Sequence, residues 1–265
     1  MVTFGNHHTN ERGYTDAIMV GKQNILTKWG VEFSDGESFF IQEQKTNSTH
    51  EIISVKKTAN KNHVVILVHL RTAPIRVEIF ETFSPKKITR KCFFTPLNDV
   101  KLTDISISQA FHRELFSSFK IDGNEIPFIG TERNHQYETE HAKLIGEKFQ
   151  LAIDFKSSFA NTGFVPVIYG RTSPQKGWVV HSRLFPHKVV EKVIVWCNKH
   201  WDKSIPFSRI LSKIDPLVDY LWYVGEKPSL THRRTFGLSS FGLVSIPQNT
   251  RIEMSQTITI RPAKK

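Results

Sequence analysis

Three short segments set histidine beside arginine or tyrosine at spacings that place the side chains on one side of an extended chain. The first runs Thr131-Glu132-Arg133-Asn134-His135-Gln136-Tyr137-Glu138-Thr139-Glu140-His141. On a strand, residues two apart share a face, so His135, Tyr137, Thr139 and His141 line one side and Glu138 and Glu140 the other. An imidazole titrates near neutrality without tuning, and a phenol close by offers a second exchangeable proton. That pair suits proton removal and return on a sugar ring, with His135 or, from the second segment, His181 as base and Tyr137 or the other histidine as acid.

The second segment is His181-Ser182-Arg183, preceded by Trp178 and followed by His187. Here His181 is a second candidate base. Arg183 on the same face carries a planar fork that fits a carboxylate, and Trp178 offers an apolar plane to a sugar ring. The third, His112-Arg113-Glu114, adds His112 and Arg113 as substrate-binding groups, and Arg233 of the pair Arg233-Arg234 joins them. The same residues also fit solvated strand ends held by ordinary salt bridges, so their convergence on one face is the point for the structure to decide.

Other chemistries find little in the chain. There is no G-x-S-x-G elbow, no HExxH or HxH pair and no CxxC, so neither a nucleophilic serine, a metal site nor any cofactor is expected. Cys92 and Cys197 each sit in an apolar run, which reads as two buried free thiols.

The elements that must carry these groups read as β-strands. Ile252, Met254, Ile258 and Ile260 alternate with Glu253, Ser255, Thr257 and Thr259; Ile105, Ile107 and Phe111 alternate with Ser106, Ser108 and Ala110. Phe149, Leu151, Ile153 and Phe155 repeat the pattern, Val64 to Val68 reads as a strand covered on both faces, and Val189 to Cys197 as a further strand. Turn residues punctuate the runs, among them Ser84-Pro85, Asn98-Asp99 and Asp122-Gly123-Asn124. Many short strands at such intervals predict an all-β protein, a large antiparallel sandwich. Spacings of three and four between Ile210 and Leu221 predict a short helical excursion around 206–223. No Gly-, Ser- or Pro-rich linker interrupts the chain, so residues 1–265 are expected to form one domain, with the polar segment 1–22 flexible or loosely docked.

Two stretches resemble a known architecture. Phe80 to Phe116 runs strand, basic stretch, apolar strand, the turn Leu97-Asn98-Asp99-Val100 and then Leu102-Thr103-Asp104-Ile105-Ser106-Ile107; Ser245 to Ile252 leads into the closing strand Gln256-Thr257-Ile258-Thr259-Ile260. This rhythm resembles the galactose-mutarotase-like super-sandwich. The resemblance implies a sheet face with room for a sugar, and it carries over no catalytic residue.

With 36 Lys and Arg against 25 Asp and Glu, the net charge is +11, a field that attracts polyanions. No apolar segment near the N-terminus or elsewhere is long enough for a signal peptide or a membrane span, so a cytoplasmic protein is expected. The function expected from all this is binding or modification of a carbohydrate, acidic sugars included. As an enzyme it would be a mutarotase-like sugar epimerase or a polysaccharide lyase. The alternative is a non-catalytic binding or scaffold protein whose basic surface, with Phe93, Phe94 and the neighbouring lysines, meets nucleic acid or a protein partner.

Overall fold

The computed structural model describes residues 2–35, 38–130, 133–159, 163–186 and 244–263. Val189–Cys197, the helical stretch 206–223, His187 and Arg233 lie outside the described residues. In chain order the strands are β1 (Phe4–Thr9), β2 (Thr15–Val20), β3 (Gln23–Asn24), β4 (Leu26–Ser34), β5 (Phe39–Ile41), β6 (Thr49–Lys57), β7 (Lys61–His69), β8 (Pro74–Phe83), β9 (Lys87–Pro96) and β10 (Val100–Leu102). They continue as β11 (Asp104–Phe111), β12 (Ser118–Ile121), β13 (Asn124–Pro127), β14 (Arg133–Tyr137), β15 (His141–Ile145), β16 (Phe149–Ser157), β17 (Phe164–Ser173), β18 (Gly177–Pro186), β19 (Val244–Ile246) and β20 (Ile252–Pro262). One turn of 3-10 helix at Arg113–Leu115 interrupts them.

Two large antiparallel sheets form the sandwich. One has six strands in the order β14-β17-β18-β11-β4-β5, the other nine in the order β13-β12-β15-β16-β20-β9-β8-β7-β6. The alternation seen in the sequence decides which side of each strand is buried between them. On β20, Ile252, Met254, Ile258 and Ile260 enter the shared core, and so do Val64, Ile66 and Val68 on β7 and Leu151, Ile153 and Phe155 on β16. From the facing sheet come Trp29, Val31 and Phe33 on β4, Ile105, Ile107 and Phe111 on β11, and Trp178, Val180 and Leu184 on β18. Burying one such side chain stabilises the fold by about 1.5–3 kcal/mol, which is why the period-two pattern fixes the facing of each strand.

The N-terminal segment is tied down rather than loose. Strands β1–β3 form a small sheet of their own, and Phe4, Tyr14, Ile18 and Val20 sit in the common core. Polar letters dominate its sequence, but four of its apolar side chains reach the core, Ile18 and Val20 from alternate positions of β2.

Local chemistry sets the turns and close approaches. Asp122 and Gly123 both have positive φ, 47° and 75°, and link β12 to β13 through the pair Ile121↔Asn124. A two-residue hairpin loop demands that backbone, and Asp-Gly supplies it. On β17, Gly170 faces the ring of Phe119, and a Cβ there would fall 2.3 Å from a ring carbon. The absent side chain lets the two sheets approach at that point.

Candidate functional site

The side of the six-stranded sheet turned away from the nine-stranded one carries a group of polar side chains from β4, β11, β17 and β18, most of them buried. Strand register assembles it row by row. One row runs across β17, β18, β11 and β4 through the pairs Tyr169↔His181, Ser108↔His181 and Ser108↔Gly30. The next runs through Val167↔Arg183, Ser106↔Arg183 and Ser106↔Glu32 and ends on β5 at Glu32↔Ile41. Lys28 stands opposite Ala110 and Arg171 opposite Val179 one row further on, while Asp104 stands opposite Ser34 on the other side. Gly30 lets the side chain of Gln42 pack over the middle of the sheet, where a Cβ would fall 3.1 Å from the Gln42 Cβ.

Glu32 is the centre of this group. One of its carboxylate oxygens accepts hydrogen bonds from the Lys28 ammonium at 2.7 Å and the Ser108 hydroxyl at 2.6 Å; the other lies 3.9 Å from His181 Nδ1. Burial by itself would favour the protonated acid. The Lys28 charge, the His181 ring and the two hydrogen bonds outweigh it and hold the carboxyl well below the usual carboxylate range. Glu32 is therefore ionised at neutral pH.

His181 responds in the opposite sense. Its side chain is 14% exposed. Burial pushes its titration down to about 4; the attraction of Glu32 opposes that, and the charges of Arg183, Lys28 and Arg171 reinforce it. The ring is neutral at pH 7, with one nitrogen donating and one accepting, and it meets the Tyr169 ring edge-on at 4.9 Å between centroids. Arg183 spans one row to donate to Asp104 at 2.9 Å, and its guanidinium lies 4.8 Å from the centre of the Phe185 ring. Burial raises the Asp104 carboxyl although Arg183 pulls it down. The face thus gathers a fixed anion, a neutral imidazole, the Ser106 and Ser108 hydroxyls, both of which donate to Glu32, the Tyr169 ring and the apolar Val167, Val179 and Phe185, nearly all of them buried.

The groups singled out from sequence are only partly brought together. His181 and Arg183 do share this face. His135 pairs with Gly170 and Tyr137 with Ile168, whereas His181 pairs with Tyr169. Since neighbours on a strand point to opposite sides, His135 and Tyr137 are on the other face of the sheet from His181, and Tyr137 packs against the core. The run from His135 to His141 is also broken. β14 ends at Tyr137 and β15, in the other sheet, begins at His141, whose Nδ1 lies 2.8 Å from Asp154.

Trp178 offers no surface to a ligand. It is fully buried, its Nε1 donates to the Phe116 carbonyl at 2.9 Å, and its ring packs against Phe119 and Phe128. It is one residue out of phase with His181 and Arg183, which sends it into the core. Arg183 is bound to Asp104 within the sheet rather than held out toward a carboxylate. His112 follows the end of β11, four residues beyond Ser108, or roughly 13 Å along the strand at 3.3 Å per residue, and Arg113 begins the 3-10 turn after it. Arg113 is exposed there and pairs with the adjacent Glu114. Arg233 is outside the described residues.

Lys28, Glu32, Ser108 and Tyr169 were missed from sequence. Trp29-Gly30-Val31-Glu32-Phe33 does hold a signal: a carboxylate alternating with three large apolar residues must face away from them. Cys92 is buried and free, its thiol raised to about 12 by burial. Among the described residues, no group of three or more metal-ligating side chains occurs, and no helix is long and apolar enough to cross a membrane.

No protein-family model and no curated protein matches the sequence. Solved structures do. A galactose mutarotase related enzyme from Lactobacillus acidophilus is 9% identical, with 100% of each chain covered and a TM-score of 0.51. A candidate aldose 1-epimerase from Escherichia coli K12 is 7% identical, with 99% of each chain covered and a TM-score of 0.53. At these identities the likeness is one of fold. The protein has the galactose-mutarotase-like super-sandwich fold, as the rhythm of Phe80–Phe116 and of the closing strand implied.

Proposed function

We propose that the outer face of the six-stranded sheet binds a neutral sugar, with Glu32, Ser108, His181 and Tyr169 as its hydrogen-bonding groups. The observation that carries this reading is the pairing of charge within the face. Lys28 holds Glu32 and Arg183 holds Asp104, so both carboxylates are matched before any ligand arrives. An acidic sugar would have to break one of these pairs to reach Lys28 or Arg183, and Arg171, a further cation of the face, is buried one row away opposite Val179. A sugar hydroxyl, which donates and accepts, can join the network as it stands. The fold likeness to sugar-enzyme structures supports the same reading by analogy.

Turnover would use His181 as the base. A neutral imidazole can take the proton of an anomeric hydroxyl, and the ionised Glu32, 3.9 Å from Nδ1, favours the imidazolium that results. A base titrating near 4 accepts protons weakly at pH 7, so this face serves binding ahead of turnover.

Isothermal titration calorimetry with neutral aldohexoses and with hexuronic acids, at low and high salt, tests it. The expected result is salt-insensitive binding of neutral sugars. Glu32→Gln should weaken it roughly 10- to 100-fold, the worth of one hydrogen bond to a charged group. Binding of uronic acids alone, weakening steeply with salt, would overturn it.

A further inference from the structure

A second polar layer lies inside the sandwich, on the opposite face of the sheet from the site above. On the inner face of the nine-stranded sheet, Asn62, Glu81, Arg90 and Gln256 stand side by side through the register pairs Asn62↔Glu81, Glu81↔Arg90 and Gln256↔Arg90. Across from them, Trp29 and Gln109 are paired on β4 and β11, and Ser182 follows on β18. Tyr14, immediately before β2, and Thr15, its first residue, complete the layer. All of these side chains belong to residues at most 3% exposed.

Direct contacts satisfy only part of the layer. Thr15 Oγ1 and Asn62 Nδ2 donate to the same Glu81 oxygen at 2.6 and 2.8 Å, and Asn62 Nδ2 also reaches the Gly13 carbonyl at 2.6 Å. Gln256 Nε2 donates to Ser182 Oγ at 2.7 Å and ties the sheets together. Arg90 Nε is 3.3 Å from the other Glu81 oxygen, an ion pair at an angle that makes no hydrogen bond, and the guanidinium lies 5.1 Å from the centre of the Trp29 ring. Nine buried atoms then have no hydrogen-bond partner among the described residues. They are Arg90 Nε and Nη1, Trp29 Nε1, both side-chain polar atoms of Gln109, the Tyr14 hydroxyl, Asn62 Oδ1, Glu81 Oε1 and Gln256 Oε1.

Folded proteins leave few buried polar groups unpaired, so nine in one contiguous layer call for a ligand. The set identifies its class. Donors and acceptors occur in nearly equal number, and Arg90 and Glu81 cancel in charge. An anion would face four acceptor oxygens and a cation would face the guanidinium. Water, with two donors and two acceptors, matches both halves. We infer that this layer is a binding site for a connected group of internal water molecules, bridging the two sheets through Arg90, Gln109 and Gln256 directly beneath His181 and Arg183.

The test is oxygen-17 magnetic relaxation dispersion on the wild type and on the Gln109→Leu and Gln256→Leu variants, with melting temperatures measured in parallel. The expected result is a loss of slowly exchanging water in each variant and a lower melting temperature, because leucine cannot replace the bridge. A dispersion unchanged in both variants, with melting temperatures equal to or above wild type, would overturn the inference. So would a melting temperature that depends specifically on chloride or another small anion in wild type and not in the variants.

Discussion

Removing Lys28 while keeping Glu32 isolates the electrostatics of the outer face. In Lys28→Met the carboxylate keeps the Ser108 hydroxyl and its position near His181 but loses its cation. Breaking a buried pair by deleting one partner costs about 3–5 kcal/mol. Here the two side chains are 19% and 10% exposed, so the low end, about 3 kcal/mol, applies. At roughly 2–4 °C per kcal/mol for a chain of this size, the melting temperature should fall by about 6–12 °C at pH 7. Acidification should narrow the gap. Glu32 titrates below its unfolded value in the wild type, so its stabilising contribution is full above the ordinary carboxylate range and is lost as pH falls through the folded value. The variant has less of that contribution to lose. The companion variant Lys28→Met/Glu32→Leu replaces both charges with apolar groups of similar length, an exchange that is often neutral or stabilising. Scanning calorimetry across pH on the three proteins is the assay. A double variant as stable as wild type that no longer binds sugar would show a pair kept for its ligand. A double variant as unstable as Lys28→Met would refute the reasoning, since the pair would then be holding the fold.

Three further outcomes follow from the same geometry. Because His181 is neutral when folded and titrates at about 4, the unfolded chain binds its proton first as pH falls below 6.5, and stability drops toward pH 4. That contribution amounts to about 3 kcal/mol at 1.36 kcal/mol per pH unit, and His181→Phe should flatten the pH dependence of the melting temperature in this window by that amount. Trp178→Phe should cost about 2–3 kcal/mol in denaturant unfolding, by opening a small cavity and leaving the Phe116 carbonyl unpaired, with sugar affinity unchanged. Gly170→Ala, whose methyl would press on the Phe119 ring, should cost about 1–3 kcal/mol in the same assay.

The fold was legible because hydrophobic alternation acts locally. Ile252, Met254, Ile258 and Ile260 declare their inward face without reference to any other strand. The site was not legible in the same way, because its members come from β4, β11, β17 and β18, and only the spatial order of the strands makes them neighbours. Histidine drew attention to His135 and His181 alike, yet their pairings with Gly170 and Tyr169 send them to opposite faces. Trp178 was misplaced by one residue of phase. Counting along β18 from the core residues Val180 and Leu184 puts Trp178 with them and His181 with Arg183, a reading the sequence allowed. Glu32 was missed because a lone carboxylate in an apolar run looks unremarkable until Lys28 and Ser108 are seen to meet it.

The central claim is that a neutral sugar binds on the outer face of the six-stranded sheet. Titrating neutral aldohexoses into the wild type and the Glu32→Gln and His135→Ala variants, followed by amide chemical shifts, tests it most directly. Saturable shifts on β4, β11, β17 and β18 are expected in the wild type, with the same affinity in His135→Ala and strongly weakened binding in Glu32→Gln. Shifts confined to other strands, or equal binding in wild type and Glu32→Gln, would contradict it.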